Sequence, residues 1–84
     1  MSKKEKAIAR LLSVPSDYTY DEAKTLLLML GFKECNQGRT SGSRVRFINS
    51  YSIQIVLHKP HPSSEFKKYA VRDIIRILDN GGLI

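Results

Sequence analysis

The chain has 84 residues and a mass of 9.6 kDa, which suits one small domain and excludes a multidomain enzyme. With 42% hydrophobic and 26% charged residues, its composition is that of a globular protein and not of a disordered chain. We expect neither a signal peptide nor a membrane helix, because the longest apolar run falls far short of the roughly 20 residues that span a bilayer. The single cysteine, Cys35, gives no sign of an oxidising compartment, and we expect a cytoplasmic protein.

The net charge of +6 is concentrated in the second part of the chain. Residues 1–36 contain six basic and five acidic side chains, whereas residues 37–84 contain eight basic and three acidic ones, so +5 of the +6 lies after residue 36. A small domain with such a charge attracts polyanions. The charge favours contact with nucleic acid, and the alternative is that it only keeps a small protein soluble.

Two helices are predicted in the first part of the chain. Good helix formers predict the first over Lys3 to Val14, and the second runs from about Tyr20 to Leu30. Thr19 and Glu22 form a capping-box pattern at the start of the second helix, and Gly31 suits a left-handed cap at its end.

Three antiparallel strands are predicted next, at 32–36, 44–48 and 52–58, with a short hairpin connection at 49–51. Alternation along the second and third strands places one set of side chains in the core: Val45, Phe47, Ile53, Ile55 and Leu57. The same period of two places the polar set on the opposite face: Arg44, Arg46, Gln54 and His58. We therefore expect one buried face and one wet, basic face.

A third helix is predicted from about Tyr69 to Asn80, where apolar residues recur at helical spacing. Pro60 and Pro62 end the third strand before it and leave His61 in a rigid loop. The predicted order is α-α-β-β-β-α. This order is typical of an α+β two-layer sandwich in which helices cover one face of a three-stranded antiparallel sheet.

Several kinds of chemical site are disfavoured by the sequence. The two histidines, one cysteine and scattered carboxylates lack the ligand spacing of zinc or calcium sites. Gly38 and Gly42 precede a strand instead of opening a helix, so no phosphate-binding or dinucleotide motif is present. Cys35 has no evident base beside it in the sequence. We expect no metal and no cofactor.

The remaining candidates form a basic cluster that the predicted fold brings together. It comprises Arg39, Arg44, Arg46, His58, Lys59 and His61. Arginine presents a planar fork to phosphate oxygens, and histidine transfers protons near neutral pH. RNA cleavage needs a base for the ribose 2′-OH, an acid for the leaving oxygen and cations for the developing charge. Taken one at a time, these residues are also compatible with a solvated strand face and structural histidines.

Five segments of the chain resemble the HicA toxin family. They are Thr19-Tyr-Asp-Glu-Ala-Lys with the later Leu-Gly31-Phe32, Ser41-Gly42-Ser43-Arg44-Val45-Arg46-Phe47, Leu57-His58-Lys59-Pro60-His61-Pro62, Val71-Arg72-Asp73-Ile74-Ile75, and Gly81-Gly82. The resemblance covers roughly residues 19–84. It implies an mRNA interferase of a bacterial HicA/HicB toxin–antitoxin pair, with a fold like the double-stranded-RNA-binding domain (dsRBD) and a HicB-like antitoxin as partner. The chain is then one domain, 1–84, in which 1–16 is an extra N-terminal helix and 17–84 the HicA-like core.

One position departs from the family pattern. The family has Gly-Ser-His before the second strand, and the resemblance implies a catalytic role for that histidine, whereas this chain has Arg44. Arginine stays protonated and cannot act as a general acid or base near neutral pH. Either His61 acts as the base with His58 as acid or support and Arg44 binds phosphate, or the protein binds RNA without cutting it well.

The RNA-binding set predicted on this basis is Arg39, Ser43, Arg44, Arg46, Lys59, Lys67 and Lys68. Two other functions stay open from the residues alone. One is a non-catalytic module that binds RNA, and the other is a protein-interaction adaptor whose basic face meets an acidic partner.

Overall fold

Three helices and a three-stranded sheet follow one another in the order α-α-β-β-β-α. The computed structural model describes residues 2–35, 44–58 and 65–84. The elements are α1 (Lys3–Leu12), α2 (Tyr20–Met29), β1 (Lys33–Cys35), β2 (Arg44–Ile48), β3 (Gln54–His58) and α3 (Lys68–Asn80). The predicted α+β class and element order are confirmed. Of the helices in these ranges, none is long and apolar enough to cross a membrane.

Helix α1 ends at Leu12, so the predicted end at Val14 was wrong. Val14 has a φ of +47° and stands directly before Pro15. A residue before proline is disfavoured in the helical conformation, because its backbone clashes with the proline ring. The helix therefore ends two residues before Val14, the end that the sequence predicts.

Helix α2 has both predicted caps. Thr19 Oγ1 accepts a hydrogen bond from the Glu22 N–H, and the Glu22 carboxylate accepts one from the Thr19 N–H. At the other end Gly31 has a φ of +92°, and the Phe32 N–H donates to the Leu27 carbonyl at 2.9 Å. Because Phe32 closes the helix in this way, β1 begins at residue 33 and not at the predicted residue 32.

The three strands pair in the order β1-β2-β3, antiparallel throughout, with β2 in the centre. Arg44 is the partner of His58, and Ile48 is the partner of Gln54. Strand β3 begins at Gln54 and not at the predicted Ser52, because Ser52 lies in the turn with a φ of +65°. The Asn49 side chain holds this turn, since its Oδ1 accepts hydrogen bonds from two backbone N–H groups of the turn at 3.0 and 2.8 Å.

One face of the sheet is buried in a core to which all three helices contribute, and α1 contacts α2 and α3. The buried core consists of Leu11, Tyr18, Tyr20, Ala23, Leu26, Leu27, Phe32, Val45, Phe47, Ile55, Leu57, Phe66, Val71, Ile74 and Leu78. Strand side chains of the core alternate with exposed ones along β2 and β3. The hydrophobic pattern of the sequence therefore determines which face of the sheet stays in contact with solvent.

Helix α1 is tied to α2 by both apolar and charged contacts. Leu11 is fully buried in the common core. The Arg10 guanidinium forms ion pairs with the Glu22 carboxylate and, at 3.1 Å, with Asp17. The hydrogen bond from Arg10 lowers the pKa of the Glu22 carboxyl below its ordinary value. The N-terminal helix thus contributes to the same packed core as the sheet.

Leu11→Ala tests this contribution, with Leu12→Ala as the matched control. Leu11 is 0% exposed and Leu12 is 50% exposed. We expect the Leu11 variant to lose about 2–5 kcal/mol of unfolding free energy in urea, because it leaves a cavity. The Leu12 variant should change it by about 0.5 kcal/mol. Equal small losses in both variants would show that α1 does not belong to the cooperative core.

Candidate nucleic-acid interface

The sheet presents a second face to solvent, which we call the outer sheet face. Side chains on this face alternate with the core residues along each strand. From the pairing register its members are Lys33, Cys35, Arg44, Arg46, Ile48, Gln54, Val56 and His58. The prediction that Arg44, Arg46, Gln54 and His58 lie opposite the core is confirmed.

Arg44 and His58 occupy directly opposite positions on β2 and β3. In the same register the Asn49 N–H donates to the Ile53 carbonyl at 3.1 Å. Hydrogen-bonded pairs alternate with non-hydrogen-bonded pairs along an antiparallel ladder, so the Arg44 and His58 pair is of the non-hydrogen-bonded kind. Side chains of such pairs stand closer together. The fold therefore places a guanidinium beside an imidazole.

Arg46 lies near the middle of the outer sheet face. It is opposite Cys35 on β1 and opposite Val56 on β3. Lys33 and Arg44 add two further cations to the face. The described strand residues include one carboxylate, Glu34, which the register places on the core side, 3.2 Å from the ammonium of Lys24. Among the described strand residues, no carboxylate therefore lies on the outer sheet face to neutralise its positive charge.

Two more predicted RNA-binding residues lie at the start of α3. Lys67 and Lys68 are exposed, and Lys67 is the N-cap residue of the helix. Lys67 and His58 line the same surface groove between β3 and α3. The structure thus brings Lys67 to the edge of the sheet formed by β3, the strand that carries His58 opposite Arg44. The other predicted site residues lie outside the described residues: Arg39, Ser43, Lys59 and His61.

Lys33 and Cys35 belong to the outer sheet face but were missed as site residues. Strand β1 has three residues, which is too few for alternation to be recognised in the sequence. Their position depends on the pairing of Cys35 with Arg46, a contact between residues far apart in the chain. The thiol of Cys35 is half-buried and free of any disulfide.

The arrangement is suited to binding phosphate. Guanidinium groups on a solvent-facing sheet form paired hydrogen bonds with phosphate oxygens, and an adjacent imidazole is able to transfer a proton. Within 2–35, 44–58 and 65–84, no group of three or more His, Cys, Asp or Glu residues is placed to hold a metal ion.

Comparison with protein families identifies the chain. A family profile described as HicA toxin of bacterial toxin–antitoxin matches residues 20–79, which is more than half of the chain. The chain belongs to the HicA toxin family. The matched range of this HicA chain begins with α2 and includes Arg44, Arg46, His58, Lys67 and Lys68, whereas α1 lies outside it. Searches of curated proteins and of solved structures gave no significant match.

Family membership confirms the resemblance seen in the sequence. It makes this HicA chain the toxin of a toxin–antitoxin pair, and it implies an antitoxin as partner.

Cross-linking tests the pairing of Arg44 with His58. In a Cys35→Ser background, Arg44→Cys combined with His58→Cys should form a disulfide on oxidation. Cα atoms of a non-hydrogen-bonded pair are about 4.5 Å apart, within the range of a disulfide. Arg46→Cys combined with His58→Cys is the matched control, because diagonal neighbours are about 7–8 Å apart. Mass spectrometry after oxidation measures the disulfide yield of the two double-cysteine variants. A higher yield in the diagonal pair would contradict the register.

Proposed function

We propose that the chain is a metal-independent endoribonuclease that cleaves mRNA in the cytoplasm and that a HicB-like antitoxin neutralises it by covering the outer sheet face. The observation that carries the proposal is the side-by-side placement of Arg44 and His58 on an exposed, positively charged sheet face. Membership in the HicA toxin family supports it.

The chemistry requires two proton transfers and stabilisation of negative charge. A base removes the proton of the ribose 2′-OH, the 2′-oxygen attacks phosphorus, and the 5′-oxygen leaves with a proton from an acid. The products are a cyclic phosphate and a free 5′-hydroxyl. In this proposal His61 is the base and His58 is the acid or supports it. Two residues lie between them in the sequence, so their Cα atoms are at most about 11 Å apart.

Arg44 stabilises charge in this scheme and transfers no proton. Its guanidinium stays protonated and presents two N–H groups to phosphate oxygens. The remaining basic and polar residues of the predicted set hold the rest of the RNA backbone through its phosphates: Arg39, Ser43, Arg46, Lys59, Lys67 and Lys68.

A second candidate function is RNA binding without efficient cleavage. It is favoured by one observation, that the family's histidine position is Arg44 here. This alternative keeps the fold and the charge of the outer sheet face and needs no histidine. The protein-interaction adaptor, the third reading of the sequence, predicts RNA binding that is absent or independent of salt.

Four variants separate the roles, assayed on a synthetic RNA in the presence of EDTA. His61→Ala should lower the cleavage rate about 100-fold or more with little loss of RNA affinity, because it removes a proton acceptor. His58→Ala should act in the same direction. Arg44→Ala should weaken affinity and rate together. Arg72→Ala, which removes an exposed arginine of α3 outside the site, is the matched control.

Arg44→His decides between cleavage and binding alone. It restores the residue that the family has at this position. A sharp rise in cleavage in Arg44→His, together with no effect of His61→Ala, would show that the base has not moved and that the natural chain mainly binds RNA.

A further inference from the structure

We infer that the free edge of β3, together with the groove between β3 and α3, is a docking site for an extended strand of a partner protein. The partner strand is apolar at alternate positions and acidic at its N-terminal end. This inference goes beyond the proposed function and does not depend on RNA cleavage, because it concerns a different surface and a different kind of ligand.

Strand β3 lies at the edge of the sheet. Within the described part of the chain it pairs with β2 alone. The hydrogen bond from Asn49 to Ile53 sets the alternation, so residues 53, 55 and 57 direct their backbone groups toward β2. Gln54, Val56 and His58 therefore direct their N–H and C=O groups away from β2. Such an edge is a template for another strand.

A mostly apolar groove runs along this edge. Its apolar lining comes from both elements and from the segment before α3: Ile55, Leu57, Phe66, Ala70, Ile74 and Ile77. Val56 and Tyr69 are 49% and 67% exposed at its margins. A strand paired with β3 would direct every second side chain into the groove, where those side chains would lose contact with water. Backbone pairing and apolar burial thus favour the same ligand.

The charges at the groove give the docked strand a direction. Ile53 lies by the C-terminal end of α3, since a Cβ added at Gly81 would come within 2.7 Å of its Cδ1. His58 lines the groove with Lys67, at the N-terminal end of α3. The His58 end therefore has three cations, Arg44, Lys67 and Lys68, against one carboxylate, that of Glu65. In antiparallel pairing, the commoner arrangement, the N-terminal end of the partner strand reaches this end, where acidic side chains complement the charge.

The same surface is poorly suited to the two other possible occupants. Glu65 and Asp73 line the groove, and their carboxylates would repel the phosphates of RNA. A second copy of the chain would bring another net charge of +6 toward this edge. RNA carries a phosphate at every nucleotide and would pass both carboxylates, whereas a strand that is acidic only at its N-terminal end places its negative charges beside Lys67 and Lys68.

The test uses a fluorescent synthetic peptide of two glutamates followed by valine and threonine in alternation, ending on valine. Its valines enter the groove, and its threonines are paired with Gln54, Val56 and His58. Methylation of the threonine backbone nitrogens should weaken binding at least about tenfold, because these N–H groups face β3. Methylation of the valine nitrogens is the matched control and should have little effect, because those groups face away. Both measurements use the unaltered protein and fluorescence anisotropy.

Two protein variants complete the test. Val56→Pro removes an outward N–H at an edge position that tolerates proline, and it should abolish peptide binding. Lys67→Glu should weaken binding by repelling the glutamates, whereas Lys4→Glu, at an exposed lysine of α1, should not. Circular dichroism checks that each variant is folded.

Absence of saturable peptide binding, or equal binding of the two methylated peptides, would overturn the inference. It would equally be overturned if the free chain sediments as a dimer that Val56→Pro converts to a monomer, which would make a second copy the occupant. Displacement of the peptide by a single-stranded RNA whose affinity is unchanged by Arg44→Ala would assign the groove, and not the outer sheet face, to nucleic acid.

Discussion

The structure depends on the pairing of β2 with β3 in one register. Val45 and Phe47 are buried in that register, and Arg44 and Arg46 are exposed. If β2 were shifted by one residue, both arginines would face the helices and Phe47 would face solvent. Burying two charges and exposing a large apolar side chain are both unfavourable. The burial of apolar side chains on one face therefore fixes the position of the cations on the other. The geometry of the outer sheet face is a consequence of the core.

Sequence periodicity predicted β2 and β3 and the two faces of each strand. Apolar and polar residues alternate over 44–48 and 54–58, so the two faces differ clearly in polarity. The predicted element boundaries were wrong where a single residue adopts a positive φ, or where a residue expected in a strand closes a helix instead. Val14, with a positive φ, lies outside α1, and Ser52, also with a positive φ, lies outside β3. Phe32 closes α2 instead of opening β1. The place of Cys35 beside Arg46 required the cross-strand register, which no local pattern encodes.

The outer sheet face and the groove meet at His58. Its side chain belongs to the outer sheet face, and its backbone groups belong to the free edge of β3. A strand docked at this edge would approach the pair of Arg44 and His58 from the side. An antitoxin segment bound there would therefore compete for space with RNA on the outer sheet face, which connects the inferred docking site with control of the proposed activity.

The proposed function requires that RNA binds across the outer sheet face. NMR measures this through the amide chemical shifts of the 15N-labelled protein during titration with a short RNA. We expect the largest shift changes at Lys33, Arg44, Arg46, Val56 and His58, and we expect them to decrease with added salt. Changes confined to the lysines of α1, with the amides of β2 and β3 unmoved, would contradict binding across this face.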